Sequence, residues 1–143
     1  MFNKSFLEDE LSELAIKHSK PSRYIVGYSG GMDSIVLLHT LKSIEKDIPI
    51  IALHINHQVN KQSNEWEEFC NKSAIKLGVN FSAYKVDIDH HSGKGAEASM
   101  RSARYSIFYD FMKKDDWLLT AHHLNDQTET LLLNLFRGSG PDG

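Results

Sequence analysis

The stretch Tyr24–Ser34, read YIVGYSGGMDS, constrains this chain more than any other. Tyr24, Ile25 and Val26 make a short apolar run that suits a buried strand. The chain then turns through Ser29-Gly30-Gly31 and continues as Met32-Asp33-Ser34-Ile35-Val36-Leu37-Leu38, which suits the start of a buried helix. A strand that breaks at paired glycines and feeds a helix is an anion cradle. Glycine lets the backbone approach phosphate oxygens, and the free amides at the helix start, helped by the helix dipole, donate to them. Ser29 and Ser34 add hydroxyl donors. Ser29, Gly30, Gly31, Met32, Asp33 and Ser34 are therefore the candidate phosphate-binding residues. Asp33 is the odd member, because a carboxylate repels phosphate. It suits orienting a magnesium ion or bonding a loop amide.

The loop matches neither GxxxxGKS/T nor GxGxxG. Ser-Gly-Gly alone also makes an ordinary tight turn. The stronger signal is SGGxDS between a buried strand and a buried helix. That segment resembles the pyrophosphate-binding loop of the ATP pyrophosphatases, the PP-loop superfamily. The resemblance implies cleavage of ATP between the α and β phosphates and an adenylated intermediate.

A chain of 143 residues can bury a real core, and one domain is expected. No apolar run approaches the roughly 20 residues that cross a bilayer, and the acidic N-terminus MFNKSFLEDELSEL lacks the apolar centre of a signal peptide. The expectation is a cytoplasmic protein with no membrane partner. A net charge of -3 gives no general basic footprint for nucleic acid, so any RNA affinity must come from local basic residues or from other parts of a longer protein. The single cysteine, Cys70, excludes a disulfide within one chain and a multi-cysteine zinc site, and reads as a small buried residue.

Taken in order, residues 5–19 read as a helix capped by Ser5, with Glu8 completing a capping box, lying over the sheet edge and stopped by Pro21. Arg23–Tyr28 is the first strand, and the helix after the loop runs to about Lys46. Ile50–Ile55 is a near-continuous apolar strand, as expected when both faces are covered. It ends in His54-Ile55-Asn56-His57. A third metal ligand at a useful local spacing is missing there. In an open α/β sheet, ligands bind beyond the carboxyl ends of the strands, so His54 and Ile55 are expected to touch adenine or ribose. Gln62–Gly78 is the next helix, with Trp66, Phe69, Cys70, Ala74 and Leu77 read as a core stripe and Gly78 as its C-terminal cap.

Asn80–Val86 is a third strand and Asp87–Gly95 a polar loop. Residues 96–114 read as a long helix. It carries Glu97, Arg101 and Arg104, which spacing alone leaves open between a surface pair worth roughly 0.3 kcal/mol and an arginine clamp on a phosphate or base. Asp116–Thr120 is a fourth strand, running into Ala121–Thr130, where two histidines, Asp126, Gln127 and Glu129 gather on the expected ligand rim. Leu131–Phe136 reads as an apolar helix ending at Arg137-Gly138.

These blocks together resemble the N-terminal catalytic domain of the tRNA(Ile)-lysidine synthetases. The resemblance covers nearly everything from Arg23 to Gly143, and its specific parts are Glu97 with Ala103-Arg104-Tyr105, and AHHLNDQTET with RGSG. It implies a doubly wound α/β fold, adenine nucleotide alpha hydrolase-like, with a mostly parallel sheet and helices on both faces. It divides the chain into a helical lead-in at residues 1–22 and an ATP-binding catalytic domain at residues 23–143, expected to be incomplete at its C-terminal end. The implied substrates are ATP with magnesium, free lysine and the wobble cytidine of a CAU-anticodon isoleucine tRNA. The implied roles are Asp33 in supporting the loop and metal, Arg104 in stabilising charge, and Asp126 with His122 in holding the lysine amine and taking its proton. Metal ligands stay unassigned, and the oligomeric state is open between monomer and homodimer. The chain departs from the family pattern in two places. Asn125 stands where an aspartate is common, which puts a two-carboxylate metal site there in doubt. Gln58-Val59-Asn60 replaces Gly-Leu-Arg, which removes one basic residue. Alternatives are another adenylating ligase of the superfamily, or an ATP-binding domain without turnover.

Overall fold

The computed structural model describes residues 2–87, 96–123 and 131–137, with side chains described over 2–87 and 100–121. The elements run α1 Lys4–His18, β1 Arg23–Gly27, α2 Met32–Ile44, β2 Ile50–Asn56, α3 Gln62–Leu77, β3 Asn80–Lys85, α4 Ala96–Phe111, β4 Asp116–His123 and β5 Leu131–Arg137. One five-stranded sheet has the order β3-β2-β1-β4-β5. β1 pairs parallel with β2 and with β4, β2 pairs parallel with β3, and β5 runs antiparallel to β4.

The apolar strands bury both faces, as their composition requires. Tyr24 and Val26 face one core with Trp117 and Leu119, over which α1, α2 and α3 supply Leu7, Leu11, Leu37, Leu38, Leu41, Cys70 and Ala74. Ile25, Leu53, Ile55 and Leu118 face the other core, which Phe108 of α4 covers. The alternation of Tyr24, Ile25 and Val26 between the two cores is the period of two of a strand. Leu37, Leu38 and Leu41 are fully buried. At roughly 2 kcal/mol each for burial, they fix α2, and with it the loop that leads into it.

Strand order sets the site. From β1 the chain winds through β2 to β3 on one side, and then returns through α4 to place β4 on the other side of β1. The order reverses between β1 and β4, and a crevice opens there beyond the carboxyl ends of the strands. The opposite ends are stapled by a paired Arg23 and Asp116, directly in register on β1 and β4. Arg23 Nε donates to Asp116 Oδ1 at 3.0 Å, the Lys113 amide donates to Asp116 Oδ2 at 2.8 Å, and the guanidinium lies over the Phe111 ring.

Three expectations are corrected. α1 is capped by Asn3, whose Oδ1 accepts from the Phe6 amide at 2.8 Å, and not by Ser5. It packs against α2 and buries Leu7 and Leu11. Trp66 and Phe69 are not core: each is 45 % exposed. Leu131–Arg137 is a strand, where a helix was expected. LLLNLFR is a short apolar run that satisfies either period, and it gives the outer edge of β4 a partner for its amides and carbonyls.

Candidate functional site

The loop between β1 and α2 is built around Ser34. Its side chain is buried, its Oγ accepts from the Gly30 amide at 3.0 Å, and it donates to the Gly31 carbonyl at 3.0 Å. The Ser29 and Ser34 hydroxyls share a hydrogen bond at 3.2 Å, and the Gly31 amide donates to Ser29 Oγ at 3.2 Å. In this state the two hydroxyls hold the loop's own amides. Gly31 is the N-cap of α2 and offers no capping side chain, so the helix start stays open to an acceptor. Met32 is 78 % exposed at that start, and Asp33 stands in the first turn.

Gly30 must be glycine for two reasons. Its φ is +82, and a Cβ there would lie 2.5 Å from Cys70 Sγ and 3.0 Å from the Trp66 ring. Those α3 side chains close on the loop from outside. Trp66 Nε1 donates to the Ser29 carbonyl at 2.7 Å, and the Cys70 thiol approaches the same oxygen at 3.7 Å. Burial, with Glu67 nearby, pushes the Cys70 thiol up to about 11, so it stays protonated at neutral pH. Trp66 and Phe69 stack at 4.8 Å between ring centres.

A cavity of about 670 Å³ opens beside this loop, within the usual size of a small-molecule site. Gly27, Ser29 and Ser34 line it from β1 and the loop, Leu53 to Asn56 from β2 with His57 just beyond, Trp66 and Phe69 from α3, Arg101, Arg104, Tyr105 and Phe108 from α4, and Thr120 and Ala121 from β4. It therefore occupies the β1–β4 crevice and the adjoining end of β2. His54 is buried, and its Nδ1 donates to the Tyr28 carbonyl at 2.9 Å, since a carbonyl only accepts. Asn56 is buried too. Its Nδ2 donates to Asn64 Oδ1 at 3.0 Å and Glu67 Oε1 at 3.1 Å, and its Oδ1 accepts from the Gln58 amide at 2.8 Å, tying the end of β2 to α3. Arg101 and Arg104 both stack on Tyr105, with guanidinium carbons 5.3 and 5.5 Å from the ring centre. Burial, then Arg104, then His54 push His57 below its usual value, so it is neutral at neutral pH.

Of the residues assigned from sequence, Ser29, Ser34, His54, Ile55 and Arg104 meet around this one cavity. Gly30, Gly31, Met32 and Asp33 form the loop and helix start beside it. His122 lies on β4 in register with Leu132, but its side chain is outside the described residues, as is Asp126. Trp66, Phe69, Tyr105 and Thr120 were missed. An aromatic pair at helical spacing looks the same whether it faces a core or a cleft. The usable signal was position: Trp66 is one turn into the helix that follows the rim end of β2. Among the described residues, no group of three or more His, Cys, Asp and Glu side chains is arranged to hold a metal. Magnesium asks for less when it comes with a nucleotide, one or two carboxylates completing a shell of phosphate oxygens and water.

Comparison with known proteins agrees with the geometry. A family model described as the PP-loop domain matches residues 3–143. Among curated relatives, the tRNA(Ile)-lysidine synthase of Alkalilimnicola ehrlichii is 44% identical over 124 residues, covering 85% of this chain and 28% of its own length. That of Hydrogenovibrio crunogenus is 40% identical over 137 residues, covering 96% and 33%, and that of Coxiella burnetii 38% over 140 residues, covering 96% and 31%. The chain thus spans about a third of the relatives it matches. Two solved structures share the fold, each at a TM-score of 0.55. One is a U34-tRNA thiolase from Methanococcus maripaludis, 18% identical, covering 76% of this chain and 42% of its own. The other is an NH3-dependent NAD synthetase from Campylobacter jejuni, 19% identical, covering 82% and 56%. With its SGGxDS loop, its mostly parallel sheet and a family match over nearly its whole length, this chain belongs to the PP-loop domain family.

Proposed function

We propose that this chain is the ATP-using domain of a tRNA(Ile)-lysidine synthase, and that residues 23–143 carry the catalytic fold behind a helical lead-in at 1–22. The observation that carries this reading is the cavity at the β1–β4 crevice, lined by Ser29 and Ser34 of the loop and by Arg104. Identity of 38–44% to synthases of this name supports the choice of substrate.

The chemistry has two steps. The C2 oxygen of the wobble cytidine attacks the α-phosphorus of ATP, and the α–β anhydride bond breaks with loss of pyrophosphate. The ε-amine of free lysine then attacks C2, the C2–O bond breaks, and AMP leaves with that oxygen. The loop's part in the first step is to donate hydrogen bonds to the departing pyrophosphate from the helix start, with Ser29 and Ser34 turning from loop amides to phosphate. Arg104 offers a guanidinium fork to charge on the α-phosphate or the adenylated base. Magnesium, supported by Asp33, supplies further positive charge when it comes with the nucleotide. The second step needs a neutral amine, and Asp126 with His122 is assigned to hold it and take its proton. The setting is the cytoplasm, where free lysine, ATP and tRNA meet.

The test is pyrophosphate release from ATP, with magnesium, a CAU-anticodon isoleucine tRNA and lysine. The expected result is release that depends on the tRNA and falls at least about 100-fold in Asp33→Ala, the scale for lost transition-state charge stabilisation. Release indifferent to the tRNA would contradict the substrate assignment. ATP binding without any release would favour the second reading, a nucleotide-binding domain that turns over only within a longer protein.

A further inference from the structure

Two buried side-chain polar atoms among the described residues have no hydrogen-bond partner: Thr120 Oγ1 and His57 Nδ1. Both residues line the same cavity. Orphaned buried groups are rare in folded proteins, because each forfeits its bonds to water, so two on residues that line one cavity are informative. Thr120 is only 8% exposed and sits on β4, alongside the end of β1. Its methyl has a defined place, since a Cβ added to Gly27 would lie 3.0 Å from Thr120 Cγ2. Valine would fill the same site, suit a strand at least as well and leave no hydroxyl unmet. The packing therefore explains the methyl and leaves the hydroxyl unexplained. His57 stands across β1, just past the end of β2, with its ring held neutral and its Nδ1 unused.

We infer that the Thr120 hydroxyl and the His57 imidazole are direct hydrogen-bonding contacts to the nucleotide held at the β1–β4 crevice, spanning it from the β4 side and the β2 side. This rests on the ATP reading of the cavity. Thr120 neighbours the start of the phosphate loop, so its partner is an oxygen of the phosphate or ribose. His57 lies at the strand end where base or ribose is expected. Neither contact involves breaking a bond; both set affinity and orientation.

The experiment is calorimetric titration of the 143-residue chain with MgATP, alongside thermal melting of the free protein, for wild type, Thr120→Val, Thr120→Ser and His57→Leu. Thr120→Val is expected to bind ATP about 3- to 10-fold more weakly, the scale of one lost neutral hydrogen bond, yet to melt at a higher temperature because an unmet hydroxyl is gone. Thr120→Ser is expected to do the reverse, keeping affinity within about twofold and melting lower for want of the methyl on Gly27. His57→Leu is expected to weaken ATP by about the same 3- to 10-fold factor. Wild-type affinity in Thr120→Val and His57→Leu overturns the inference, as does equal weakening in the serine and valine variants, which would point to packing. A wild-type chain that binds no ATP overturns the nucleotide reading itself.

Discussion

Single atoms decide whether the loop can exist. Gly30 holds a φ of +82 with Cys70 and Trp66 pressed against the place of its missing side chain, and Ser34 closes the turn from beneath. His57 shows the same economy in its electrostatics. Its pKa is lowered by burial first, then by Arg104 and His54. The unfolded chain therefore takes up the proton before the folded one does. Stability from this group is fully present above the ordinary histidine pKa of about 6.5 and is lost as pH falls below it. Melting measured from pH 7.5 down to 5.5 (roughly one unit either side of that value) is expected to fall more steeply for wild type than for His57→Gln. Parallel curves would show that His57 is not held neutral. At this scale the sequence was readable where backbone chemistry is specific, as in SGGxDS and the cap at Gly78. It was silent where a side chain's role depends on distant neighbours. Nothing local in DWLLTAHH marks Thr120 as the residue with an unmet hydroxyl.

Among the elements, β1 does most to position the site, because it is the strand at which winding reverses. Its start is fixed to β4 by Arg23 and Asp116, the latter almost fully buried. Arg23→Met would leave that carboxylate without its charge partner. The expected loss is on the order of 2 kcal/mol by urea unfolding, below the figure for a fully buried pair because Arg23 is 23% exposed. A loss under about 0.5 kcal/mol would show the staple to be dispensable. The four parallel strands were legible because continuous apolar runs such as IIALHI leave little choice when bounded by turns. LLLNLFR was not, since a short apolar run fits a helix or a strand and only the open edge of β4 decides. α3 was legible as a helix but not in its facing. Trp66 and Phe69 share helical spacing with Cys70 and Ala74, yet the first pair walls the cavity and the second pair fills the core.

For the whole molecule, winding in both directions from β1 brings together residues that are far apart in sequence. Ser29, His54, Arg104 and Thr120 come from four segments and meet at one crevice. The PP-loop assignment explains why that crevice should hold ATP, and the family match over residues 3–143 supports it independently of the cavity. On this reading, the loop and the cavity together bind the nucleotide. Calorimetric titration with MgATP, run beside Gly30→Ala with its folding verified by melting, tests this most directly. Saturable one-to-one binding is expected for wild type, with a loss of at least about tenfold in Gly30→Ala, where a side chain would both strain the φ and displace Trp66 and Cys70. No binding by wild type, or equal binding by a folded Gly30→Ala, would contradict it.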